Sequence, residues 1–398
     1  MDVSDFFFKL LIVLLSAKFF AEVFAYLKLP SVIGEVTAGI IIGPSVLGLI
    51  MPDATFHILA EIGILLLLFE VGLETDIGQI VKVGGQSALV AVTGVVAPAF
   101  AGFWISSQIF GMPFMVSLFI GGTLVATSIG ITVRVLVDLR KHQTKMAKIV
   151  LGAAVLDDII GVIILAVLYD FAVTGKVNVI NTAKVFGFIV VFLLLAPVIT
   201  KLLVPIISKL LSNSRTKGIV PTIIISLILG LAVISHKAGA PEILGSFAAG
   251  IALARRFFLP FGASLDHYSH TLAERIEENM KPIIDLFVPV FFVIVGVSIN
   301  LSVIDFTSPI FWQTAGLLTL GAAIAKMISG VWVKGDFREK LSTGIAMVPR
   351  GEVGLIFAEV GKRSKIFDDT IYAVMVFVVA LTTLFAPLAL RFVMRGEE

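Results

Sequence analysis

Apolar stretches long enough to cross a bilayer recur along the whole chain, and this constrains its fold more than any other feature. A bilayer core needs roughly 20 predominantly apolar residues per helix. Read in windows of that length, the sequence offers thirteen candidate spans: about 6–27, 31–50, 56–74, 86–108, 114–136, 146–169, 181–202, 218–236, 240–254, 283–299, 311–334, 338–362 and 367–395. Only 15% of the 398 residues are charged, 58% are hydrophobic, and mean hydropathy is +1.07. An ordinary soluble domain is about 25% charged. The expected fold is therefore all-α, a polytopic membrane protein of about 13 transmembrane helices. The N-terminus, MDVSDFFFKL, lacks the basic start of a cleaved signal, so the first span is expected to stay.

An odd number of spans puts the termini on opposite sides. Most of the 30 lysines and arginines fall in alternate connections, such as Arg134, Arg140, Lys141 and Lys145. The positive-inside rule then places the N-terminus outside and the C-terminus in the cytoplasm. The connection at about 255–282 reads as a solvated helix joining two halves. No soluble regulatory domain is expected after the last span.

With a net charge of +2, nothing points to nucleic acid. There is no cysteine, so disulfides and thiol catalysis are excluded. The sequence carries no HExxH, phosphate loop, dinucleotide fingerprint or TVGYG filter. The chain does not read as an enzyme, and neither a nucleotide nor a cofactor is expected.

Against this background AVLDDIIG, residues 154–161, stands out. Asp157 and Asp158 fall at the middle of a membrane-length helix, where each costs about 2.5–3.5 kcal/mol to insert. Helix neighbours point about 100° apart, so one can face a cavity and the other a neighbouring helix. Lys326, in GAAIAKMISG at 321–330, is the natural partner, since a carboxylate beside it would hold its proton. Two plainer readings stand beside these: a buried pair that only ties helices together, and a lysine that snorkels to an interface. Glu22, Glu35, Glu61 and Glu70 also lie in spans and are given no ion-binding role.

Two other spans carry helix-breaking residues at mid-length: GGTLVATSIGI at 121–131, with Thr127 and Ser128, and GIAMVPRGEVG at 344–354, with Pro349, Arg350, Gly351 and Glu352. Interrupted spans at corresponding places in two halves point to a transporter's binding site, because freed carbonyls and half-helix ends can meet an ion. Close glycine packing accounts for the GG pair but not for PRGE. Arg350 and Glu352 are read as supporting the break rather than binding the ion. The pattern fits an inverted repeat.

Several segments, in order, resemble one known family: PSVIGEVTAGIIIGPSVLG, LLLLFEVGLET, LVATSIGITVRVL, LGAAVLDDIIG and MVPRGEVGLI. They are similar to the monovalent cation:proton antiporter-2 family, above all to its bacterial NapA-type Na+/H+ antiporters. The resemblance covers essentially the whole chain. It implies inverted repeats with two crossing broken helices and a homodimer of thirteen-span protomers in the cytoplasmic (inner) membrane. Each protomer would combine a dimerisation scaffold with an ion-carrying core, about 86–169 and 311–395, that moves like an elevator. Asp158 would be the ion- and proton-binding carboxylate, with Na+ held by Asp158, Asp157 and Thr127. Ser128 would lie at the first break, while Pro349, Arg350 and Glu352 would flank the second. Asp157 would pair with Lys326 when no ion is bound. The Asp-Asp-Lys set resembles the electrogenic sodium type, carrying Na+ or Li+ against H+. A K+/H+ or electroneutral exchanger is the alternative. A passive cation channel and a non-transporting membrane component are the rivals from other classes.

Overall fold

A computed structural model describes residues 3–74, 77–174, 218–239, 241–254 and 269–394, with short pieces between 183 and 202. The expected span at 181–202 and the connection at 255–268 therefore lie largely or wholly outside the described residues. Fourteen α-helices and no strand occur among the described residues. They are α1 (Val3–Tyr26), α2 (Ser31–Ile42), α3 (Ala54–Glu74), α4 (Ile77–Trp104), α5 (Phe114–Thr123), α6 (Ile129–Asp138), α7 (Lys145–Thr174), α8 (Ile219–Lys237), α9 (Glu242–Leu253), α10 (Ser269–Ser298), α11 (Pro309–Ile328), α12 (Phe337–Ala346), α13 (Glu352–Arg363) and α14 (Asp369–Met394).

The exposed surface is that of a membrane protein. On α4, Leu89, Val92, Val96 and Phe100 are exposed, and on α11, Leu317, Leu320, Ile324 and Ile328. Both sets recur every three or four residues and so line one helix face. In water such a stripe would be buried; facing outward, it suits hydrocarbon. Six described helices are long and apolar enough to cross a membrane, and α2, α5 and α9 are shorter apolar pieces.

Two expected spans are each two helices. Residues 114–136 form α5 and α6, separated at 124–128, and residues 338–362 form α12 and α13, separated at 347–351. Halves of ten residues (α5, α6 and α12) and twelve (α13) rise about 15–18 Å at 1.5 Å per residue, roughly half the thickness of a bilayer core. Each break thus divides its span near the middle. Elsewhere the expected span 31–50 is helical only to Ile42, where Gly43 closes it in extended backbone. The expected linking helix is not separate where it is described: residues 269–298 run as one helix through Pro282 and Pro289.

The chain divides into two compact units. The first comprises residues 1–57, 83–178 and 292–398. In it α1 and α2 form a hairpin, α2 crosses the end of α10, and α7 packs against α5, α6 and α12. Phe119, Phe311, Phe357, Phe367 and Met375 lie in the core between the broken helices, α11 and α14. The second unit comprises residues 58–82 and 179–291. In it α8 and α9 form a hairpin and α9 crosses α3.

Each unit repeats one device. PSVIGEVTAG (30–39) and PEILGSFAAG (241–250) both begin with an extended proline, followed by a short helix with glycine at its fourth and ninth positions. A Cβ at Gly34 would strike the Phe20 carbonyl of α1, and one at Gly245 the Leu231 carbonyl of α8. A Cβ at Gly39 would strike Val293 of α10, and one at Gly250 would strike Phe69 of α3. Glycine is needed at all four positions because backbones meet there without room for a side chain.

Candidate functional site

The two helix breaks face each other in the first unit. The Ser128 backbone N–H donates to the Pro349 carbonyl at 2.9 Å. The hydroxyls of Thr132 and Thr127 donate to the carbonyls of Ala346 at 2.7 Å and Met347 at 3.3 Å. Groups that a continuous helix would satisfy internally are here satisfied across the break, as a low-dielectric interior requires. Gly351 makes this approach possible: a Cβ there would lie 2.6 Å from Ser128 Oγ.

Arg350 occupies the junction with no exposed surface. It donates to Leu124 O at 2.5 Å and Val348 O at 3.0 Å, while its own carbonyl accepts from the Thr383 hydroxyl of α14. Leu124 and Val348 follow the C-terminal ends of α5 and α12. One guanidinium therefore meets the partly negative ends of both half-helices. The same bonds withdraw carbonyls that the interrupted spans would otherwise offer a cation. Pro349 contributes its carbonyl to Ser128. The side chain of Glu352 lies outside the described residues.

Asp157 and Lys326 form an ion pair, Nζ to Oδ2 at 2.9 Å, with both side chains fully buried. Lys326 comes from α11, and its stem runs beside α4, where a Cβ at Gly94 would sit 3.6 Å from Nζ. The Thr127 hydroxyl lies beside the Asp157 carboxylate, and the charges of Arg350 and Asp158 act on the same pair. Asp158 is 7% exposed, slightly more than Asp157 at 1%. Ser128 is buried, and its hydroxyl has no hydrogen-bond partner among the described residues, nor has Asp157 Oδ1. Asp157, Lys326, Thr127 and Arg350 are thus gathered where two half-helix ends converge, with Asp158 next to Asp157 in the chain and the Ser128 hydroxyl at the break. Hard cations take oxygen ligands, and the oxygens available here are carboxylate and hydroxyl.

A second charge group, running from a buried acid to the surface, was not singled out in the sequence. Glu35 of α2 is 1% exposed and faces Arg134 of α6 at 3.8 Å. Asp138 accepts from both the backbone N–H and the hydroxyl of Ser31, at 2.9 and 2.8 Å. The only signal in the sequence was a glutamate in the first turns of an apolar helix whose repeat mate has Ser246 at the same place.

Broken helices meeting over a buried acid–lysine pair, with apolar faces turned outward, define a multi-span membrane protein of the carrier type. The chain belongs to the family described as sodium/hydrogen exchanger, transmembrane, which matches residues 10–396. It is 33% identical to the high-affinity Na+/H+ antiporter NhaS3 of Synechocystis, over 98% of this chain and 90% of that one. It is 34% identical to the Na+/H+-K+ antiporter GerN of Bacillus cereus, over 99% and 97%. The fold matches the sodium proton antiporter MjNhaP1 of Methanocaldococcus jannaschii with a TM-score of 0.73 at 18% identity, covering 100% of this chain and 99% of that one.

Proposed function

We propose that this protein exchanges Na+ or Li+ for H+ across the cytoplasmic membrane, with cation and proton competing for Asp158. What carries the reading is a buried Asp157–Lys326 pair at the meeting of two helix breaks, in a chain of the sodium/hydrogen exchanger family. When Asp158 releases its proton, Na+ enters among Asp158, Asp157 and the hydroxyls of Thr127 and Ser128. The arriving charge loosens the Asp157–Lys326 pair. Arg350 remains on its two carbonyls throughout and holds the breaks in register.

In this reading residues 86–169 and 311–395 form the core that moves, elevator-like, against a scaffold that pairs with a second copy. The N-terminus is outside and the C-terminus cytoplasmic. Two protons exchange for one Na+, so one charge crosses per cycle, and membrane potential contributes about 2.3 kcal/mol per 100 mV. A second reading, K+/H+ exchange on the same residues, is favoured by the relative GerN, whose name includes K+.

The test is reconstitution in liposomes with an inside-acid gradient and a trapped pH dye. Na+ or Li+ is expected to collapse the gradient, to respond to imposed voltage, and to fail in Asp158→Asn. Na+-dependent proton flux surviving in that variant would remove Asp158 from the centre of the mechanism. A response to K+ alone would transfer the reading to the second ion.

A further inference from the structure

We propose that Ser31, Glu35, Arg134 and Asp138 form a polar latch between α2 and α6 that holds one state of the transport cycle and opens in every turnover. This inference rests on the proposed elevator reading, in which α6 belongs to the moving core and α2 to the scaffold, so that the moving boundary runs within the first compact unit.

The network joins the first turns of α2 to the last turn of α6. Pro30 precedes α2 and gives it no side-chain cap. Asp138, 107 residues away in sequence, serves instead by accepting from the Ser31 N–H and hydroxyl. Arg134 bridges the two acids, 3.8 Å from Glu35 Oε1 and 3.5 Å from Asp138 Oδ1, and its Nη2 reaches Ser31 Oγ at 3.5 Å. Lys18 of α1 is the other cation acting on Glu35.

Two observations separate a latch from a permanent tie. The first is incomplete satisfaction. Glu35 is almost wholly buried, yet its Oε2 has no hydrogen-bond partner among the described residues, and its ion contact to Arg134 is long at 3.8 Å. A buried acid satisfied on one side only contributes little net stability, and the exposed Ser31–Asp138 bonds beside it are screened by solvent, so the state they hold is easily left. The second is asymmetry. The repeat mate of Glu35 is Ser246, whose hydroxyl makes a neutral bond to the Leu65 carbonyl within the second unit. The other repeat thus fixes this position with a plain hydroxyl bond. The buried acid occurs in one repeat only; the second repeat has instead an exposed Glu242–His236 contact at the start of α9. In an inverted repeat that means one face of the membrane, the cytoplasmic one in the proposed orientation. A device at one end favours one of two otherwise similar states.

The chain has no cysteine, so introduced thiols are unique. Ser31→Cys/Asp138→Cys places two of them at side chains now in contact. In proteoliposomes the reduced double variant is expected to exchange cations for protons. A short bis-thiol crosslinker is expected to lower exchange at least tenfold, leaving each single variant unaffected. Undiminished exchange after complete crosslinking would overturn the latch. Failure of the wild type to move protons with any cation would instead overturn the transport reading. Spin labels at Leu27→Cys and Arg140→Cys, exposed sites beside the network, test the motion independently of transport and without altering the latch. Two distance populations, shifting in proportion between acid and alkaline Na+ conditions, are expected; one unchanging distance would rule out the opening.

Discussion

Asp157→Asn removes one partner of an ion pair that has no contact with solvent. At 2.9 Å and an effective dielectric of 20, the attraction between the two charges is roughly 6 kcal/mol. Desolvation of both groups offsets much of it, so the intact pair contributes little net stability. Breaking it is another matter. The variant leaves Lys326 buried with its main partner gone, and such single deletions cost about 3–5 kcal/mol. At about 2 °C per kcal/mol for a chain of this size, the melting temperature in detergent should fall by about 6–10 °C. The double variant Asp157→Asn/Lys326→Met removes both charges at similar volume and should recover most of the loss. The assay is thermal unfolding of the purified single, double and wild-type proteins, scanned at one rate. A single variant as stable as wild type would show that the pair is not a closed, buried one. A double variant no better than the single would show that the loss lies in packing rather than in the orphaned charge.

Other expectations follow from the same geometry. Arg350→Met leaves the Leu124 and Val348 carbonyls unsatisfied, at about 1–3 kcal/mol each; Arg350→Lys, with a smaller reach, should recover only part, read by the same melts. Gly351→Ala puts a Cβ 2.9 Å from Ser128 Cβ and should cost about 1–3 kcal/mol as overpacking; Ser128→Gly in the same chain should restore the loss if that contact is the cause. In the connection before α11, the N–H and hydroxyl of Thr307 hold the exposed Asp305 carboxyl below the usual aspartate range. Its stabilising contribution is therefore present above that range and disappears as pH falls through the lowered value. Asp305→Asn should flatten that part of the stability–pH curve.

The sequence was most informative where a residue type is costly in its setting. An all-helical membrane protein followed from apolar length alone. The breaks in α5–α6 and α12–α13 were visible because proline, arginine and paired glycines do not belong in a plain span. Asp157 and Lys326 could be matched because each is expensive alone in hydrocarbon. Their distance depended on a contact across 169 residues, and the reach of Arg350 to the Leu124 carbonyl on one across 226, which no local pattern encodes. The α2 and α9 crossings were missed for a different reason. Glycine in an apolar helix is common, and only the matching Pro-x3-Gly-x4-Gly spacing of 30–39 and 241–250 sets these apart. Glu35 was passed over because one acid near a span end is usually solvated, and only the fold brings Arg134 to it.

The bonds between the two breaks also set a timetable for biosynthesis. Thr127 donates to a carbonyl 220 residues later in the chain. At 5–20 residues per second, a ribosome needs roughly 10–40 s to supply that acceptor. For that interval α5 and α6 lie in the membrane with the backbone at their junction lacking its final partners, a condition worth several kcal/mol per group in lipid. The first half therefore cannot mature by itself, and a chain cut before residue 347 should be recognised by membrane quality control rather than accumulate as a stable half-protein.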